Sequence, residues 1–251
     1  MKQLEMRRYK LTIEYYGTGL VGWQRQPDFS NSAQQIIEDA IFKLTQTKVK
    51  IHASGRTDAG VHALGQVAHF DLEKDKSTKV MQSGLNHFLR KSNCAILNCE
   101  IVNDDFHSRF DAKSRSYQYQ IINRHPHLTF NRNLAWQIHN PLDITKMREA
   151  AQFLIGTHDF TSFRDSACQA KTAIRTVEKI EIIKEGELIK MNFLAKSFLH
   201  HQVRNMVGTI VLAGKGKIEP GKMKEILEVK DRKKSGENAP PWGLYFIKVN
   251  Y

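Results

Sequence analysis

From Tyr9 to Tyr16 the chain alternates. Tyr9, Leu11, Ile13 and Tyr15 fall on one face, and Lys10, Thr12 and Glu14 on the other. A period of two predicts a strand with one covered face. Gly17 to Ser32 breaks the alternation with Gly17, Gly19, Gly22 and Pro27, and reads as loop. Ser32 is placed to cap a helix whose apolar stripe is Ile36, Ile37, Ala40, Ile41 and Leu44. A short strand is expected over Val49–Ala53, a loop over Ser54–Gly60 and a strand over Val61–Leu72. A helix over Thr78–Leu89 and a strand over Ala95–Val102 follow. Residues 103–113 lose all periodicity and read as a junction.

The second half opens with a strand over Ser114–Ile122, alternating around Tyr117, Tyr119 and Ile121. Asp143 is expected to cap a helix running to about Ile155. Ile174–Lys184 and Leu188–Leu194 read as strands around a turn at Glu185-Gly186. Phe198–Ala213 reads as a strong helix with Leu199, Val203, Met206, Val207 and Ile210 on one face. A basic helix over Gly221–Lys230 and a closing strand over Leu244–Tyr251 complete the pattern. Strands outnumber helices and many neighbours look antiparallel, so the expected class is α+β. The junction suggests two subdomains, 1–108 and 109–251.

Composition narrows the class. The 251 residues are 41% hydrophobic and 25% charged, a globular balance. The longest strongly apolar stretch without a charge, Asn205–Gly214, is half of the roughly 20 residues a bilayer span needs. Arg7, Arg8 and Lys10 occupy the place where a secretory signal would need apolar residues. Cys94, Cys99 and Cys168 make neither an even disulfide framework nor a C-x-x-C pair, which suits a reducing cytoplasm. The excess of 38 Lys plus Arg over 26 Asp plus Glu, a net charge of +12, calls for a polyanionic partner, with nucleic acid foremost. Two basic runs stand out. Arg109, Lys113, Arg115, Arg124 and Arg132 form one, and the lysines and arginine between Lys215 and Lys234 the other. Both are expected to contact phosphate.

Several candidate motifs fail on detail. Gly17-x-Gly19-x-x-Gly22 follows a strand, but Pro27 argues against the helix that a dinucleotide site requires, and Glu38 falls inside a helix. A flexible turn is the simpler reading. Gly214-Lys215-Gly216-Lys217 ends a helix instead of opening one, so it reads as a glycine stop and not a phosphate loop. His200 and His201, adjacent on the expected helix, would point about 100° apart, and no ligand spacing surrounds them. Gly55-Arg56-Thr57-Asp58-Ala59-Gly60 is different. It sets a carboxylate between two glycines, with a guanidinium two residues before it. The residues alone leave two readings open: a reactive acid on a loop that a ligand approaches closely, or an ordinary turn between strands.

The stretch SGRTDAGVHALGQVAHF, residues 54–70, resembles the signature of the tRNA pseudouridine synthase A family. Further blocks resemble that family in order along the chain. They are YGTGLVGWQRQ (16–26), FHSRF (106–110), SYQY (116–119), GTHDFTSFR (156–164), FLHHQVRNMVG (198–208) and WGLYF (242–246). The chain departs from the family's pattern at Leu89–Asn93 and at Ala239–Gly243.

The resemblance implies a pseudouridine synthase fold. This is two similar subdomains of mainly antiparallel sheet flanked by helices, with a central active-site cleft. It implies isomerisation of uridine to pseudouridine at positions 38–40 of the tRNA anticodon arm, by a cytoplasmic homodimer with no metal or cofactor. It places Asp58 on the catalytic aspartate and Arg204 on the arginine that pairs with it. Arg56 falls on the arginine that helps evert the nucleotide, Tyr117 on the tyrosine that stacks on uracil, and Leu244 on a residue lining the base pocket. Whether Asp58 attacks C1′, attacks C6 or takes the C2′ proton stays open. Two other classes compete: a tRNA-binding protein without catalysis, and a dinucleotide oxidoreductase resting on Gly17, Gly19 and Gly22.

Overall fold

The computed structural model describes residues 6–27, 31–73 and 76–251. The chain divides into two compact units. One runs to Lys113 and takes back Phe246–Tyr251; the other is Ser114–Tyr245.

The first unit contains β1 (Arg7–Tyr15), α1 (Ala33–Thr45), β2 (His52–Ala53), β3 (His62–Leu72), α2 (Thr78–Leu89) and β4 (Cys94–Val102). β1 lies between β4 and β3 and is antiparallel to both, with Leu11 opposite Cys99 and Ala68. The alternation of β1 does what it predicts: Tyr9, Leu11, Ile13 and Tyr15 are all buried. β2 pairs with the distal part of β3, His52 opposite His69. Both helices begin on serine caps. Ser32 Oγ accepts from the Gln35 N–H, and Ser77 Oγ from the Val80 N–H. Their buried stripes include Ile37, Ala40 and Ile41 on α1 and Met81, Leu85 and Leu89 on α2. The chain end is tied in by Lys113 N–H to the Asn250 carbonyl (2.8 Å) and by the Tyr251 hydroxyl to the Ser108 carbonyl (2.8 Å).

The second unit contains β5 (Ser114–Asn123), β6 (Trp136–Ile138), α3 (Ile144–Gln152), β7 (Gly156–Asp159), β8 (Ile174–Glu185), β9 (Leu188–Ala195), α4 (Gln202–Gly214) and α5 (Lys222–Val229). Its strands run in the order β5-β9-β8-β7, all antiparallel, and β6 adds to β5 in parallel. Strand β10 (Leu244–Asn250) begins in this unit and passes to the first after Tyr245. The class is therefore α+β with mostly antiparallel sheet.

Four details differ from the pattern-based expectation. β2 keeps only His52–Ala53 of the expected Val49–Ala53. α4 starts at Gln202 instead of Phe198, because His201 takes a left-handed φ of 60° and the Gln202 side chain accepts the Leu199 N–H. α3 ends at Gln152, where its last carbonyls are met by the tight-turn bonds Leu154 N–H to Ala151 and Ile155 N–H to Gln152. β6 and β7, three and four residues long, are too short to show a period.

The core of the second unit is α4, buried on every side from Gln202 to Val211. Residues 235–239 cross it at a glycine. A Cβ on Gly208 would lie 1.8 Å from the Glu237 carbonyl oxygen, and one on Gly236 would lie 2.6 Å from the Gly208 carbonyl carbon. Gly→Ala inside a helix ordinarily stabilises by about 1 kcal/mol. Here the collision is with backbone, which cannot rotate away. Gly208→Ala is expected to destabilise the protein by about 2–3 kcal/mol in chemical denaturation. A neutral or stabilising result would refute this packing.

Candidate active site

The loop carrying Asp58 joins β2 to β3, and short bonds from the buried side fix it. Ser54 N–H donates to the Val67 carbonyl (2.8 Å), and Ser54 Oγ donates to Gln66 Oε1 (2.6 Å). The Gln66 amide donates to the Gly55 carbonyl (2.8 Å). Thr57 is held from two sides. Its hydroxyl shares a buried hydrogen bond with the Tyr15 hydroxyl (2.7 Å), and its carbonyl accepts the Trp23 N–H (3.0 Å). Burial pushes the Tyr15 phenol well above its usual range, with the Thr57 and Gln66 hydrogen bonds opposing. Tyr15 therefore keeps its proton at neutral pH and remains a hydrogen-bonding anchor.

The next four residues turn. The Asp58 carbonyl accepts the Val61 N–H (3.2 Å), with Gly60 at φ 80° in the third position, as a type II turn requires. Asp58 is half-buried while Arg56 and Ala59 are exposed. The loop thus buries Thr57 and presents its neighbours on either side.

The glycines of residues 17–22 explain this stability. A Cβ on Gly17 would lie 2.2 Å from the Val61 carbonyl oxygen, and one on Gly22 would lie 2.7 Å from that of Thr57. The Gly17 N–H also donates to His62 Nδ1 (3.0 Å). The Gly-x-Gly-x-x-Gly segment is therefore a bed for the Asp58 loop and not a flexible turn. Its two outer glycines lie against protein backbone, where a dinucleotide would need the space.

The bed is anchored in turn by Glu38, a buried carboxylate on α1. It accepts from Gln34 Nε2 (2.9 Å) and the Ile51 N–H (3.0 Å), and pairs with Arg25 (2.7 Å). The spacing of residues did not announce Tyr15, Gln66 or Glu38 as supports. Of the three, only Gln66 falls within a block that resembles the family, residues 54–70.

Tyr117, Arg204 and Leu244 lie in the second unit. Tyr117 and Tyr119 share one face of β5, and burial separates them. Tyr119 is fully buried, with its hydroxyl on the Pro240 carbonyl (2.7 Å). Tyr117 is half-buried, with its ring edge-on to Phe198 at 5.3 Å. Tyr119 is thus core, and Tyr117 keeps an accessible face.

Arg204 is buried in α4. Its Nε donates to the Ala239 carbonyl (2.7 Å), and its own carbonyl accepts the Ala239 N–H (3.3 Å). Its neighbour Asn205 donates to the Phe163 carbonyl and accepts from Arg232, both at 2.8 Å. Leu244 is buried at the first position of β10. His200 lies outside the helix, which begins at Gln202. The His200 and His201 rings lie 4.0 Å apart on the left-handed turn. His201 Nδ1 is 2.7 Å from Asp165, whose carboxyl the Ala167 N–H and His201 hold below its usual range against burial.

The two basic runs are only partly available for phosphate. Arg115 is buried with its guanidinium on the Lys196 carbonyl, and Arg124 pairs with Glu187. Lys222, Lys224 and Lys230 pair with Glu225, Glu228 and Asp159. Arg232 is spent on Asn205, Ser235 and Gly236.

The sequence profile of a family described as tRNA pseudouridine synthase matches residues 11–111 and 150–251, which include Asp58, Arg204 and Leu244. The chain belongs to this family. It is 50% identical over 244 residues to "tRNA pseudouridine synthase A" of Ehrlichia canis (strain Jake), covering 97% of this chain and 100% of that protein. The same figures hold for the protein of that name from Ehrlichia chaffeensis (strain ATCC CRL-10679 / Arkansas). A pseudouridine synthase cuts a base from its sugar and turns it. Thr57→Val deletes the buried hydroxyl bond while keeping volume. It is expected to lower kcat for pseudouridine formation about tenfold, equivalent to about 1.4 kcal/mol, with KM little changed. Steady-state kinetics with a parallel melting curve checks this; a native kcat would show that the Tyr15–Thr57 bond does not position the loop.

Proposed function

We propose that this synthase converts uridine to pseudouridine at positions 38–40 of the tRNA anticodon arm, with Asp58 as its catalytic nucleophile or base. One observation carries the reading: the chain sets a half-buried aspartate on a loop fixed from beneath by Thr57, within a segment matched to the family. In the reaction the N1–C1′ bond breaks, the uracil turns and C5 joins C1′. The C5 hydrogen leaves to solvent and N1 gains a proton. Atoms balance without oxidant or reductant, so the reaction itself calls for no redox cofactor.

The base must leave its stack to turn, which costs a few kcal/mol. Arg56, exposed beside Asp58, is the residue that takes the place of the everted nucleotide or grips its phosphate. The half-open ring of Tyr117 stacks on the uracil, and its hydroxyl receives the C5 proton. Arg204 is the second catalytic residue; its burial and its bond to Ala239 make its position reproducible from one turnover to the next. Leu244 gives the base an apolar wall. The enzyme works as a homodimer in the cytoplasm; none of its described helices is long and apolar enough to cross a membrane.

Tritium release from tRNA carrying 5-tritiated uridine reads formation of the new bond. The native protein is expected to release tritium, and Asp58→Asn to release none while still binding tRNA. Release by Asp58→Asn would remove Asp58 from the chemistry. Binding without release by the native protein would favour a tRNA-binding protein instead.

A further inference from the structure

Between Asp111 and Asp143 the sequence has no carboxylate. Part of this stretch is the β5–β6 connection, residues 124–135, which lies in the interval 112–149 between the two segments matched to the family. Its base is well built. The Arg124 guanidinium donates to the carbonyls of Pro126 (3.2 Å) and His127 (3.1 Å) and pairs with Glu187 (3.1 Å). The Gln137 amide donates to the Pro126 carbonyl (2.6 Å), and its oxygen accepts the Leu128 N–H (3.1 Å). Leu128 and Ala135 are buried with Ile122, and Leu188 packs on them. The Tyr245 hydroxyl donates to the Leu134 carbonyl (2.6 Å), tying the returning chain to the residue after Leu244.

On this base stands an open tip. Residues 129–133 are all exposed, and Phe130 is 95% exposed. The tip has a defined shape, from Arg132 N–H to the Phe130 carbonyl (2.9 Å) and Leu134 N–H to the Asn131 carbonyl (3.1 Å). Leaving a whole phenyl ring in water forgoes the gain that burying it would bring. Nothing in the fold of the loop requires it there, because Leu128 and Ala135 already fill the cluster beneath. An aromatic ring with a guanidinium two residues on, in a stretch of sequence without carboxylates, matches the chemistry of unpaired nucleic acid: a base to stack on and a phosphate to pair with.

We infer that Phe130 and Arg132 form an RNA docking point outside the reacting base, with Phe130 stacking on an unpaired nucleobase and Arg132 contacting the neighbouring phosphate. This rests on the tRNA reading given above and adds a contact to it. A preformed loop loses little entropy on binding, so the gain appears as affinity. Neither is among the residues assigned to the reacting base above, so their loss is expected to raise KM and leave kcat.

The test uses the full-length protein and unmodified tRNA transcript. Phe130→Ala is expected to raise KM and tRNA Kd about tenfold with kcat near native. Phe130→Trp should restore affinity, and tRNA should quench the fluorescence that the new indole adds. Arg132→Ala should reduce the slope of log K against log salt by about one. Native KM and Kd in both alanine variants would overturn the docking point. So would an effect confined to binding of anionic phospholipid vesicles, which would assign the loop to a membrane surface. If the native protein releases no tritium, the catalytic reading fails. Loss of RNA affinity in Phe130→Ala would still stand as evidence for the contact.

Discussion

The fixed position of Thr57 is the constraint on which the Asp58 loop depends. The role proposed for Asp58 requires its carboxylate to be held close to its target while the substrate reorganises. A loop between two strands does not do this unaided. Here the residue beside the acid is turned inward and held by a hydroxyl bond to Tyr15 and a carbonyl bond to Trp23. Asp58 is thereby placed by its neighbour's contacts.

The glycine segment makes that arrangement possible. Backbone at 17–22 approaches backbone at 57–61 more closely than any side chain permits. Gly22 also takes a φ of 103°, which other residues rarely adopt. Glu38 then locks the bed to α1 and to the chain entering β2. A buried carboxylate with three partners is costly to leave half-satisfied, so the bed forms as a whole or fails as a whole. The second unit uses the same means around α4. There Arg204, Asn205 and Thr209 meet residues 232–239 through buried and half-buried hydrogen bonds, across the contact that Gly208 and Gly236 allow.

Much of this was legible from the sequence, and the failures have physical causes. Long periodic elements such as β1, α2 and β5 follow from the spacing of apolar residues, since one covered face dictates the pattern. The start of α4 was misplaced because Phe198 and Leu199 continue its apolar stripe, whereas the backbone turns left-handed at His201. Tyr117 and Tyr119 are indistinguishable by period and become distinct once the Tyr119 hydroxyl is seen on Pro240. Arg115 counts as a surface cation in the sequence but is buried on the Lys196 carbonyl, a long-range contact that no local pattern reveals. Gly17 and Gly22 read as a flexible turn because glycine signals either freedom or close approach. Which of the two applies depends on a partner some 40 residues away.

Amide hydrogen exchange at Trp23 tests the central claim most directly, because that N–H donates to Thr57 from within a loop that belongs to no helix or strand. If the bed and the Asp58 loop form one rigid body, Trp23 is protected within about tenfold of the Leu11 amide in the middle of β1. Exchange at the rate of an exposed loop amide would mean that Thr57 is not held, and that Asp58 is positioned by something other than this bed.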